Sequence, residues 1–394
     1  MARRCPALLV ISLWGLLGFS VERTARAEDN ERYVLRAELG VEYDTNAHRT
    51  EHLNDAANPE NVRSPLGRGV ASASLSDVIA PGHAVALSAT AAAKLFADQR
   101  ARDEDVAVAQ SSAEWRMNLG PHASLGLAGN YYEAFQRPEA DGAVGTQQRD
   151  FRSLTSALRL GTVLGSHVDL ALAGGYRLFV FKPDQNFNFR APLGSLDLRW
   201  SAETADGGSE WELGVGGAFE LRNFEGMRLI NNCVPPSAIG STACPPVPAD
   251  GGRRDYFSLG HLEVTRTGRV LLGAGYAFHW NHSNSFGESV LRHVIVARLA
   301  LGLPLGLYLA SRGELLIARY RDPVIVGQLT TGGKMFVSID DENRSGLRVD
   351  LSRAVTDGIQ VIARYTLYVN ELGNTSGRFV RQTALLSVAF SLEK

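Results

Sequence analysis

Several groups of residues in this chain have types and spacings that could do chemistry. His279, His282, Ser283 and Asn284 fall together, with His293 shortly after. A hydroxyl nucleophile, a histidine base and an amide or carboxylate to orient it are what a surface hydrolase needs. A polar loop carrying surface histidines has the same composition, and it is the plainer reading. His122 and Ser124 repeat a His-x-Ser spacing, but they sit in a tight Gly-Pro turn. Asp340-Asp341-Glu342-Asn343 supplies only oxygen ligands, the kind calcium takes, although an ordinary solvated acidic loop reads identically. Cys233 and Cys244 bracket a Pro- and Gly-containing segment. In an oxidising compartment a disulfide is the natural reading, contributing about 3 kcal/mol through loop closure. A metal site there lacks a histidine or further cysteine at ligand spacing. The expectation is no enzyme, no metal and no cofactor.

These residues must be placed by some scaffold, and the first thirty positions say where it works. Arg3 and Arg4 precede a short apolar stretch from Ala7 to Phe19, and Ala25-Arg26-Ala27 gives the small-x-small pattern of signal cleavage. Residues 1–27 therefore read as a cleaved signal peptide and 28–394 as the mature protein. The apolar stretch is too short to span a bilayer as a helix, and Cys5 leaves with the signal. No other long apolar run follows, which excludes a polytopic helical membrane protein. A formal net charge of −2 gives no basic field for nucleic acid. The basic residues are 36 Arg against 4 Lys, as a GC-rich genome produces.

From residue 32 onward the dominant signal is period-two alternation. Tyr33, Leu35, Ala37, Leu39, Val41 and Tyr43 share one face; Arg36, Glu38, Glu42 and Asp44 share the other. Strands are expected near 32–45, 66–80, 83–96, 104–119, 122–136, 150–164, 167–181 and 191–202. Eight more are expected near 210–224, 254–266, 269–282, 289–303, 306–320, 343–355, 358–371 and 377–392. Fourteen or eighteen are the neighbouring possibilities. Tight turns such as Pro81-Gly82, Gly165-Ser166-His167 and Thr356-Asp357-Gly358 alternate with longer polar loops such as 46–64, 225–253 and 321–342. Aromatic residues gather toward strand ends at Tyr43, Trp115, Tyr131, Trp200, Trp211 and Trp280. Long strands, short turns at one end and long loops at the other indicate an all-β fold: a transmembrane antiparallel up-and-down β-barrel of about sixteen strands in the outer membrane of a Gram-negative bacterium.

In such a barrel the oily face meets lipid and the polar face lines the lumen. The strand phases put Arg36, Glu38, Glu42, Glu114, Arg116, Arg159, Asp169, Arg177 and Asp197 on the pore lining. Arg199, Glu212, Glu220, Glu263, Arg292, Arg298, Glu314, Arg348, Asp350 and Arg364 join them. Sixteen strands leave an aqueous channel, so a porin-like conduit for small polar solutes is the economical expectation. Balanced charge argues against strong ion selectivity. Tyr132, Phe179 and Tyr368 are scattered candidates for sugar-stacking platforms.

Gly40-Val41-Glu42-Tyr43-Asp44-Thr45-Asn46 resembles the G-x-x-Y-D-x-N first strand of porin-like outer-membrane β-barrel families of Gram-negative bacteria. Some such families occur with exopolysaccharide export machinery, so the resemblance implies a second function, a barrel that helps a surface polymer across. Partners expected are outer-membrane lipid, small polar solutes or polysaccharide, and the barrel-assembly machinery. The last strand, with Ala384, Leu386, Val388, Phe390 and Leu392 alternating, partly matches the signal that machinery reads; the usual terminal aromatic is missing.

Overall fold

The computed structural model describes residues 32–47, 62–136, 150–182, 184–204, 208–231, 247–321, 345–369 and 380–393. The expected signal segment, Cys233, Cys244 and the acidic run 340–343 lie outside them.

Alternation becomes strand at every expected place. In order they are β1 (Arg32–Asp44), β2 (Ser64–Ala80), β3 (His83–Phe96), β4 (Val106–Asn118), β5 (Ala123–Gln136), β6 (Phe151–Leu164), β7 (Val168–Phe181) and β8 (Phe189–Glu203). Then follow β9 (Glu210–Ile230), β10 (Val247–Thr267), β11 (Val270–Ser283), β12 (Val290–Gly302), β13 (Leu307–Tyr320), β14 (Ser345–Thr356), β15 (Ile359–Val369) and β16 (Val380–Glu393). Each pairs antiparallel with its neighbours in sequence, and β1 pairs with β16, so sixteen strands form one closed barrel. Closure leaves no unpaired edge, which satisfies every strand's backbone groups from within the sheet.

The turns follow from local chemistry. Gly82, Gly165 and Gly306 adopt φ of 77°, 70° and 71°, which glycine reaches without a Cβ penalty. Leu305, at φ 65°, is the one non-glycine in this region among the described residues. At the opposite end, short 3-10 turns at Gln99–Glu104 and Gln185–Phe187 are each started by an aspartate, Asp98 and Asp184, whose carboxylate accepts a backbone N–H two residues on.

The two faces differ as the alternation requires. The outward face carries large apolar side chains open to the surroundings, with Val41 66 % and Leu386 63 % exposed. The inward face carries the charges, and many are buried: Glu42, Asp44, Glu220 and Asp255 among them. The barrel is thus apolar outside and polar inside, the reverse of a water-soluble protein.

One hairpin exceeds expectation. β9 runs to Ile230 and β10 starts at Val247, past the expected limits of 224 and 254. The extension carries β-bulges around Gly252, and Gly251 takes φ 98°. Its residues mix polar ones, Glu225, Arg228 and Asp250, with apolar ones, Met227, Leu229 and Ile230, and the bulges interrupt the alternation that marks the other strands.

Candidate functional site

The candidate site is the inward face. Register fixes it: Glu42 lies opposite Leu66 and Leu385, Arg159 opposite Gly126 and Ala173, and Asp350 opposite Ala310 and Arg364. By the same ladder, all the charged residues assigned to the lining share this one face. What the sequence could not give is how they are distributed around it.

Four buried carboxylates, each the centre of an ionic group, sit toward the loop end. At the seam, Arg381 binds Asp44 through Nε at 2.8 Å. Next to it, Glu42 lies between Arg68 at 3.5 Å and Lys94 at 3.4 Å, joining β1, β2 and β3. On β7 and β9, Glu220 receives Arg177 and Arg222, each at 2.9 Å. On β10, Asp255 accepts from Arg253 at 2.7 Å, Asn281 at 3.0 Å and the Ser283 hydroxyl at 2.5 Å. Buried charges persist only when paired and hydrogen-bonded, and each of these is.

Midway along the barrel the pairs are more open. Arg159 meets Glu114 at 3.1 Å, Arg199 meets Glu212 at 2.8 Å, and Arg298 meets Glu263 at 2.5 Å. On the far side Arg312 meets Glu314 at 3.1 Å, and Arg364 bridges Asp350 at 2.8 Å and Glu38 at 3.4 Å. Arg348 also holds Asp350, at 2.8 Å. Arg36 stands between Ser72 and Ser391 in the ladder, Asp169 between Val163 and Arg199, Arg116 between Ala84 and Gly126, and Arg292 between His279 and Ala318.

The signs are segregated by wall. Among the described inward residues, β12 to β16 carry Arg292, Arg298, Arg312, Arg348, Arg364 and Arg381 against the acids Glu314, Asp350 and, at the very end of β16, Glu393. Strands β8 to β10 carry Asp197, Glu203, Glu210, Glu212, Glu220, Asp255 and Glu263 against Arg199, Arg222 and Arg253. Arg298, Arg312 and Arg348 even lie directly opposite one another on adjacent strands. Like charges so placed repel; each is held by its own acid, Glu263, Glu314 or Asp350.

Aromatic residues are segregated too. Tyr132, Phe151, Phe179, Phe189 and Phe224 come from five successive strands, β5 to β9, and their ring centroids are 5.4, 5.4, 4.9 and 5.1 Å apart in sequence along the row. Tyr132 and Phe179 are thereby gathered into one stack, whereas Tyr368 stands apart near Arg381. Phe151, Phe179 and Phe189 are 1, 2 and 3 % exposed, so the stack is a packed core, closed to passing solutes. Arg253 lies 4.0 Å over Phe224, and Arg222 4.0 Å over Phe257, tying the stack to the ionic clusters.

Other inward positions are open. Ser74, Ser76, Ala86, Ser88 and Gln110, on β2 to β4 from mid-barrel to the short-turn end, are exposed although they face inward. The hydrolase-like group, by contrast, is dispersed. His279 and Ser283 face inward while His282 and His293 face outward, and the His293 Nδ1 shares a hydrogen bond of 2.7 Å with the Tyr276 hydroxyl. His122 lies in its turn while Ser124 is in the β5 ladder.

No family model matches the chain, and no curated protein matches it in sequence. Among solved structures it is similar to Acinetobacter baumannii OccAB4, at 8 % identity and a TM-score of 0.47, over 93 % of this chain and 99 % of that one. It is similar to Pseudomonas aeruginosa OpdQ, at 10 % identity and 0.44, over 92 % and 98 %. Salmonella typhi OmpF, solved in complex with daunomycin, gives 9 % identity and 0.44, over 92 % and 98 %. The sixteen-strand barrel rests on the closed ladder of this chain itself.

Proposed function

We propose that this protein is an outer-membrane channel of a Gram-negative bacterium that passes small polar solutes without energy input. The observation that carries the reading is the inverted barrel: sixteen strands closed on themselves, apolar where they face out, charged where they face in, with inward serines open to solvent. An apolar outer band is stable only against lipid, and sixteen strands enclose enough width for water. The cleavable signal supplies the export route, and the barrel-assembly machinery would insert the chain. A solute in the lumen meets an acid-rich wall on β8 to β10 and an arginine-rich wall on β12 to β16. Such a crosswise field orients dipolar solutes rather than admitting one sign alone. A polysaccharide conduit asks for ring faces open to the lumen, and the aromatic stack is buried, so the small-solute reading is the better supported.

Planar-bilayer conductance of the refolded protein tests this, first in simple salt and then with neutral sugars of increasing size. Stable open steps blocked by sugars above a size limit are expected. A correctly folded barrel with no conductance sinks the proposal.

A further inference from the structure

The outward face ends differently on different sides of the barrel. At the loop end of β6, β8 and β10 the outermost outward residues include Arg152, Arg190 and Arg254, each two positions beyond an apolar one, Leu154, Pro192 and Tyr256. Lys182 follows β7, its ammonium 4.5 Å over the outward ring of Phe135. All four cations are exposed. Elsewhere at this end the outward positions are mostly apolar or uncharged, such as Tyr43, Leu95, His282, Leu291, Leu347 and Gln382; the exposed arginines there are Arg319 and Arg321 at the end of β13 and Arg63 before β2, so the densest group of cations is at β6 to β10.

Register sets the spacing. Arg190 and Arg254 flank Asn223 in one row across β8, β9 and β10. With strands about 4.8 Å apart, their backbones are about 10 Å apart. Arg152 lies opposite Glu133. Glu133 is already engaged by Lys182 at 2.8 Å and by the Tyr131 hydroxyl, and Glu225 accepts from Asn188 at 3.0 Å. Among the described residues the guanidinium groups of Arg190 and Arg254 form no salt bridge, and Arg152 acts on Glu133 across the ladder through its charge without a close ion pair. Exposed arginines directly above an apolar band, facing away from the lumen, have one chemically matched neighbour: the phosphate of a lipid whose acyl chains lie on that band.

We infer that the outer corner of β6 to β10 binds the phosphate groups of an anionic glycolipid in the outer leaflet. The inference rests on the outer-membrane placement proposed above, though not on an open lumen. The full chain, folded in detergent, is titrated with diphosphorylated lipid A and with its dephosphorylated form, and bound lipid is read by native mass spectrometry. Preference for the phosphorylated form is expected, with a loss of about tenfold or more in R152A/R190A/R254A, since charge-assisted bonds are the strong ones. The charge-keeping R152K/R190K/R254K variant should retain part of the preference; it, with R190A alone, carries the test if the alanine variant does not fold. Equal binding of both lipids, or an alanine variant that keeps the preference, overturns the inference. Displacement by millimolar inorganic phosphate would make the corner a free-anion site and overturn the lipid assignment. Conductance separates this from the channel reading: a barrel that conducts but ignores the phosphate loses the corner alone, and one that binds lipid yet never conducts loses the channel alone.

Discussion

The wall of β5 to β9 and the wall of β12 to β16 are made of the same alternating strands, yet their inward faces are held by different forces. The first packs five aromatic rings in a continuous row, where each well-placed pair adds about 0.5–1.5 kcal/mol beyond its buried area. The second replaces rings by arginines, each tethered to a carboxylate. Aromatic packing is indifferent to salt and to the sign of a passing ion, whereas a tethered arginine acts on both. The contrast teaches that one barrel can assign stiffness to one wall and electrostatics to the other.

The largest effect should come where this contrast is weakest. Arg381 belongs to the arginine-rich side, but Asp44 beneath it is fully buried. Arg381→Met should therefore cost about 3–5 kcal/mol in denaturant unfolding, because a buried carboxylate loses its partner. Adding Asp44→Asn should recover much of it; failure to recover would mean that the arginine acts by packing. Next, Phe179→Ala should cost about 3–5 kcal/mol by opening a cavity in the stack. Its reversal potential in a salt gradient should match the parent's. A shift in ion preference would show that the stack reaches the solute path. Smallest in stability is Arg312→Gln combined with Arg348→Gln, at about 1–2 kcal/mol, since Asp350 keeps Arg364 at 2.8 Å and each glutamine can still donate to the carboxylate its arginine held. Here the reversal potential should move toward cations, and the move should shrink as salt rises. No move would assign those arginines to holding the wall.

Much of the fold was legible because one property, period-two alternation, repeats with glycine-marked turns. Fifteen of the connections needed only local reading of that kind, but the closing contact between β1 and β16 had to be deduced from the even count. The β9–β10 extension was missed for a physical reason: beyond Phe224 and before Arg254 bulges break the period of two, and Pro248, Gly251 and Gly252 read as loop. The face of each charged residue was legible, since phase alone decides it. Their segregation was not, because it depends on which strands neighbour which around the barrel. The same holds for the aromatic row. Phe151, Phe179, Phe189 and Phe224 each look like an isolated exception on a polar face until the ladder sets Phe179, Phe189 and Phe224 opposite one another. Equal totals of acid and base suggested an even lining, and the ladder shows an uneven one.

The seam has a consequence for error-checking. A slip of one residue between β1 and β16 would turn every side chain to the wrong face, and water and lipid would reject it at once. A slip of two keeps every face correct, so hydrophobicity is blind to it. In one direction that slip sets Asp44 beside Leu385 and out of Arg381's reach, leaving a buried carboxylate with the Asn46 N–H at 2.9 Å but no cation. In the other it separates Thr45 from Gln382, which now exchange hydrogen bonds of 3.1 and 2.9 Å. The Asp44–Arg381 pair and the Thr45–Gln382 exchange together thus work as a proofreading mark, the features by which the last two edges to meet can tell the right alignment from its two nearest forgeries.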